Sequence, residues 1–176
     1  MKKMFFVILC LFAGSVNATV VLDPDTTENW YFTWAGLDQI DHIYAWDGIS
    51  TGPDWTTDYG NDWSITAATD STMDFVTAWD GFIPGDVFSL IVDGASVAWT
   101  SSYVDTSGYF HGVYDDLFLS AGTHTMSFVV DSGLDSGGAY STFGPLTAAS
   151  VAEPGTIALL GLGLVGMGLS RKKVLK

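Results

Sequence analysis

Aspartate and tryptophan are the residues with which this chain could do chemistry. Its 176 residues hold 20 acids, seven tryptophans, three histidines and one cysteine. Four segments place an indole beside a carboxylate in a turn-like setting: Trp46-Asp47-Gly48, Asp54-Trp55, Asp62-Trp63 and Trp79-Asp80-Gly81. Such a pairing suits a sugar, whose CH face packs on an apolar ring while acids bond its hydroxyls. Most tryptophans of a β domain fill its core. Trp55 and Trp63, in the polar stretch 51–64, are the two expected at the surface, and they are the candidate carbohydrate-binding residues. Asp23, Asp25 and Glu28, with Asp115 and Asp116, are the candidate calcium ligands, because hard carboxylate oxygens suit that ion. Neither group follows the order of an EF-hand loop.

Other chemistries find no support. No Gly-x-Ser-x-Gly nucleophile elbow, His-Glu-x-x-His zinc motif or lysine-bearing phosphate loop is present. Cys10 lies in the first apolar run, so the domain that follows has no thiolate for a nucleophile or a zinc site. His42 and His124 alternate with apolar residues and read as satisfied sheet positions, while His111 stands closer to surface acids. Glycoside hydrolysis needs two opposed carboxyls, one of them with its pKa raised by burial. Glu28 is the only glutamate before Val151, and most aspartates sit beside Gly, Ser or Trp, where they bond turn backbone. No catalytic residue is assigned. A non-enzymatic protein is expected, with a carbohydrate-binding module as the alternative and a polysaccharide hydrolase behind it.

Charge is segregated. All six basic residues (Lys2, Lys3, Arg171, Lys172, Lys173 and Lys176) lie in the two ends. With Glu153 set aside, nineteen acids fall between 19 and 150, where there is no Lys or Arg at all. The formal net charge of −14 therefore understates the acidity of this middle region. Nucleic acid and anionic lipid surfaces are excluded as its partners.

These residues must be positioned by strands. Short apolar-aromatic runs alternate with Gly, Asp, Ser and Thr, and no long window keeps a helical period. Strands are expected over 30–34, 40–46, 63–69, 73–79, 87–92, 96–100, 117–119, 123–130 and 140–143. Ile40, His42, Tyr44 and Trp46 would share one face, as would Met73, Phe75, Thr77 and Trp79. Asp93-Gly94 is the best turn signal, suited to a two-residue type I′ hairpin. The pattern predicts an all-β, antiparallel sandwich of jelly-roll type over 19–150. From Asp131 the Gly- and Ser-rich sequence reads as a spacer. Pro84 to Gly94 and Leu119 to His124 resemble patterns of exported β-sandwich modules of the galactose-binding-like type, which implies a fold and not a ligand.

The two ends carry addresses. Lys2-Lys3, the apolar run 4–13 and Val16-Asn17-Ala18 make a signal peptide over 1–18, with cleavage expected after Ala18. At the other end, 151–176, Ala152-Glu153-Pro154 precedes sixteen uncharged residues and then Arg171, Lys172 and Lys173. A helix of that run is about 24 Å long, enough to cross a membrane if the basic flank snorkels and the bilayer thins. The basic cluster would anchor it on the cytoplasmic side. Glu153-Pro154, the glycine-punctuated Leu159–Leu164 and the basic cluster together resemble the PEP-CTERM sorting signal, with Ala152 in place of the motif's first proline. The resemblance implies an exported protein of a Gram-negative bacterium that builds exopolysaccharide. It also implies a precursor anchored in the inner membrane facing the periplasm, processing by an exosortase (a membrane cysteine transpeptidase), and a final place at the cell surface or in the biofilm matrix.

Overall fold

The computed structural model describes residues 19–49 and 52–149. The signal peptide with Ala18, and the tail with Ala152, Glu153, Pro154, Arg171, Lys172 and Lys173, lie outside the described residues, as does the transmembrane helix expected there. Twelve strands form: β1 Thr19–Val21, β2 Glu28–Ala35, β3 His42–Ala45, β4 Asp62–Ala67, β5 Ser71–Asp80, β6 Val87–Val92, β7 Ala95–Val97, β8 Ser101–Val104, β9 Phe110–Leu119, β10 Gly122–Ser132, β11 Ser136–Phe143 and β12 Leu146–Ala148. Among the described residues there is no helix.

Two sheets result. One runs β1-β4-β10-β6-β7; the other runs β3-β2-β11-β5-β9-β8, with β12 also pairing β5. All pairings are antiparallel except β1 with β4. The sheets face each other across one aromatic core. Phe32 of the larger sheet stacks on Phe128 of the smaller at 4.9 Å between centroids. Trp63 meets Phe32, Phe128 and Phe143 at 6.2, 5.3 and 5.1 Å. Alternation puts Trp63, Ile65 and Ala67 of β4 inward, against Phe88 and Leu90 of β6 and Met126, Phe128 and Val130 of β10. The chain crosses between sheets seven times, so each sheet is assembled from distant segments.

The Asp93-Gly94 turn is present, with φ of 50° and 77°, and joins β6 to β7. Its aspartate also accepts from the His124 ring Nδ1–H at 2.7 Å and the Thr125 N–H at 2.9 Å.

Three expectations require correction. In β3 it is Ile43 that faces the core, while His42 and Tyr44 point outward. The run is interrupted at Asp41, whose carboxylate accepts the Ala35 N–H, so Ile40 and Trp46 belong to different segments. In β5, Met73 is inward, but the inward residues then become Val76, Ala78 and Asp80. The same change of face occurs in the paired β9, between inward Phe110 and Gly112 and inward Leu117 and Leu119. It coincides with Asp116 at φ 56°, a left-handed position that aspartate tolerates better than most side chains. Finally, the Gly- and Ser-rich stretch is no spacer. It forms β11, which lies between β2 and β5, and then β12.

Candidate functional site: an aromatic face

The outward surface of the larger sheet carries a line of rings set in direct register. Tyr44 of β3 pairs Tyr31 of β2, which pairs Tyr140 of β11. Tyr140 pairs Trp79 of β5, Trp79 pairs His111 of β9, and His111 pairs Tyr103 of β8. One aromatic residue thus comes from each of six neighbouring strands. Centroid separations along the line are 6.4, 5.2, 4.4, 6.4 and 4.8 Å. Strands lie about 4.8 Å apart, so the row spans roughly 24 Å of sheet. Trp79 and His111 stack with their planes nearly parallel, at 1°, and His111 and Tyr103 at 10°.

Further rings from the loops lie on this row. Trp55 packs edge-on to Tyr31 at 5.2 Å and against Tyr44 at 4.9 Å. Trp46 covers Tyr140 at 4.4 Å, and Phe82 reaches both Tyr31 and Tyr140 at 5.7 and 5.8 Å. Tyr31 and Tyr140 are in consequence buried, at 4% and 7% exposure, while Tyr103 and Trp55 are 58% exposed and Phe82 51%. Two hollows border the face. One of about 220 Å³ is lined by Tyr31, Phe82, Ile83, Asp86, Leu134 and Ser136 among others. A wider one of about 410 Å³ lies between Trp46, Asp47, Pro53 and Asp54.

Polar groups around the face are already ordered. Burial, with the neighbouring Tyr140 and Tyr44 phenols, pushes the Tyr31 hydroxyl up to about 12, so it remains a donor at any physiological pH. Burial raises Tyr140 as well. His42 and Asp58 meet at 2.7 Å at one end of the row, and His111 and Asp105 at 3.4 Å at the other. Asp54, beside Trp55, is held below the usual carboxylate range by the hydroxyl and N–H of Thr56.

The carbohydrate-binding candidates separate here. Trp55 lies on the face, but Trp63 does not: it is fully buried between the sheets and cannot touch a ligand. Its polar neighbours Asp62 and Ser64 point the other way along β4, and this alternation made the segment look exposed. The calcium candidates are also engaged locally. Asp23 Oδ1 accepts the Asp25 N–H at 2.9 Å, and Glu28 accepts from the Asp23 N–H at 2.7 Å and the Trp30 indole N–H at 3.1 Å. Asp115 accepts from the Thr100 hydroxyl at 3.3 Å, and Asp116 occupies the face-switching position of β9. Among the described residues, no group of three or more His, Asp or Glu side chains is placed to hold a metal ion.

Tyr31, Tyr44, Tyr103, His111 and Tyr140 were not singled out from the sequence as a site. Only the strand pairings put them in one row. No curated protein and no solved structure matches the chain. Residues 150–172 match the family model of the PEP-CTERM protein-sorting motif, so this is an exported exosortase substrate, anchored to the membrane by its C-terminus until it is processed.

Proposed function

We propose that residues 19–149 form a non-enzymatic, glycan-binding domain that the sorting system delivers to the cell surface or exopolysaccharide matrix of a Gram-negative bacterium. The observation that carries this reading is the in-register aromatic row across six strands. The row supports exposed rings along its length, Tyr103, Trp55 and Phe82, which offer apolar surface to the CH faces of pyranoses in an extended chain. The exposed Tyr103 hydroxyl and the flanking Asp54, Asp58 and Asp105 supply acceptors and donors for sugar hydroxyls. With no Lys or Arg between 19 and 150, a uronate or phosphate group on the chain would meet no fixed cationic side chain, which favours a neutral polysaccharide.

The repeated crossing between two mainly antiparallel sheets supports a jelly-roll of the galactose-binding-like type. The non-enzymatic reading rests on the position of the acids. The two aspartates whose carboxyls are raised by burial, Asp80 and Asp86, are 1% and 2% exposed, beneath the loop that carries Phe82 rather than across a cleft from each other. Signal-peptide removal after Ala18 and final location in the biofilm belong to the same proposal.

A glycan array probed with the full chain in detergent micelles tests it. Saturable binding to neutral polysaccharides is expected, weakened roughly 5- to 150-fold in a Trp55→Ala, Tyr103→Ala double variant, since stacking is worth about 0.5–1.5 kcal/mol per ring pair. Absence of binding to every glycan, or binding indifferent to both substitutions, would refute the assignment of this face.

A further inference from the structure

Asp80 and Asp86 pose a problem of charge that the chain does not solve internally. Asp80 is the last residue of β5 and faces inward, and Asp86 immediately precedes β6. Both are buried, at 1% and 2% exposure. Asp80 Oδ2 accepts the Asp86 N–H at 3.4 Å, and the N–H groups of Phe82 and Gly85 also donate to this carboxylate. Asp86 Oδ1 accepts the Leu134 N–H at 2.8 Å, and Gly133 packs directly against the Asp86 carboxylate. Burial raises both carboxyls, and the neighbouring Asp86 charge raises Asp80 further, while these backbone donors pull the other way. The other oxygen of Asp80, Oδ1, is buried and has no hydrogen-bond partner.

Two neighbouring carboxylates in a buried setting can ionise together only with a counter-charge. Between 19 and 150 there is no Lys or Arg. Each of the three histidines is already paired with another acid: His42 with Asp58, His111 with Asp105 and His124 with Asp93. Among the described residues no cation remains for this pair.

We propose that Asp80 and Asp86 bind a calcium ion, with the unpartnered Asp80 Oδ1 as one ligand and the Asp86 carboxylate as another. Both donors are hard oxygens, which suit calcium and not zinc. Asp86 also lines the hollow of about 220 Å³, through which an ion and the waters completing its shell can enter. Calcium accepts six to eight oxygens in a flexible arrangement, whereas magnesium demands a strict octahedron. With two carboxylates the affinity falls in the range of extracellular modules, Kd about 0.1–1 mM. The ion would tie the 81–86 loop to the 133–134 segment, and so hold Phe82 and Ile83 in place beside the aromatic face. The site stands whether or not that face binds a glycan.

The test is calorimetric titration of the full chain in detergent micelles with calcium chloride after removal of divalent ions, followed by melting curves. One saturable site is expected, and about 10 mM calcium should raise the midpoint by about 3–6 °C over magnesium at matched ionic strength. Asp80→Asn and Asp86→Asn should each weaken binding at least tenfold, while Asp23→Asn and Asp115→Asn leave it unchanged. Asparagine keeps the acceptor oxygen for the backbone N–H groups and removes a buried charge. Without calcium, Asp80→Asn should therefore melt no lower than the wild type, which separates loss of the ion from loss of the fold. Failure of the wild type to bind calcium saturably would overturn the proposal without any variant, and would leave a shared proton as the means of neutralising the pair. Equal effects of calcium and magnesium, or full binding in both asparagine variants, would overturn it equally.

Discussion

Gly138→Ala tests the packing beneath the aromatic face. Gly138 is on β11, two residues from Tyr140 on the same side of the strand. A Cβ built at this position overlaps the hydroxyl and Cζ of Tyr31 and stands 3.0 Å from its Cε2. In an ordinary strand, replacing glycine by alanine is favourable by about 0.5–1 kcal/mol. Here Tyr31 cannot swing aside freely, because Trp55, Phe82, Tyr44 and Tyr140 surround its ring at 5.2–6.4 Å. Overpacking of this type costs about 1–3 kcal/mol. The net expectation is a loss of about 1–2 kcal/mol, or a fall in melting midpoint of roughly 3–10 °C for a domain of this size. Circular-dichroism melts of the wild type, Gly138→Ala, Tyr31→Ala and the double variant make a thermodynamic cycle. With the ring gone, Gly138→Ala should become neutral or stabilising, for a coupling energy of about 1–3 kcal/mol. If Gly138→Ala stabilises the otherwise unaltered protein, Tyr31 is not pinned across β11 and the tight ring packing described above is wrong.

Other expectations follow from single positions. Trp63→Ala removes a fully buried indole and should cost about 3–5 kcal/mol in a denaturant melt, whereas Trp55→Ala, at 58% exposure, should cost far less. His124 is pushed up by the Asp93 carboxylate and by the Ser120 carbonyl, and Asp93 is pushed down in turn. The stability from His124 is complete below its unfolded value of about 6.5 and is lost as pH rises through the raised folded value. Midpoints measured above pH 6.5 should therefore fall with rising pH, and less steeply in His124→Gln. The excess of acids between 19 and 150 should make melting midpoints rise as sodium chloride shortens the Debye length from about 30 Å at 0.01 M to about 10 Å at 0.1 M. A midpoint that stays constant over that range would mean that these acids repel one another too weakly to matter.

Legibility from sequence varied with how local the determinant was. Asp93-Gly94 announced its hairpin because a type I′ turn is a property of two adjacent residues. The sorting motif was equally legible, since Glu153-Pro154, the apolar run and the basic cluster are contiguous. The face of β5 was misread because its phase changes near Asp74, opposite a left-handed residue, Asp116, on another strand. The glycines of β11 suggested a spacer, yet they are small because Trp34 and Tyr31 lie across them. The aromatic row was invisible for a related reason. Tyr31 and Tyr140 are adjacent only through the β2–β11 pairing, and register between such distant segments is set by the whole core. Trp63 and Trp55 show the same limit at close range: similar Asp-Trp pairs, one inside and one outside.

Co-sedimentation of the exported protein with exopolysaccharide from the cells that produce it tests the central claim most directly. The wild type should pellet with the polymer in a saturable, salt-tolerant manner, because ring stacking and hydrogen bonds to an uncharged polymer depend little on screening. The Trp55→Ala, Tyr103→Ala variant should stay in the supernatant while retaining the wild-type circular dichroism. Equal pelleting of the two proteins, or no pelleting of either, would contradict the assignment of the aromatic face as a glycan-binding surface.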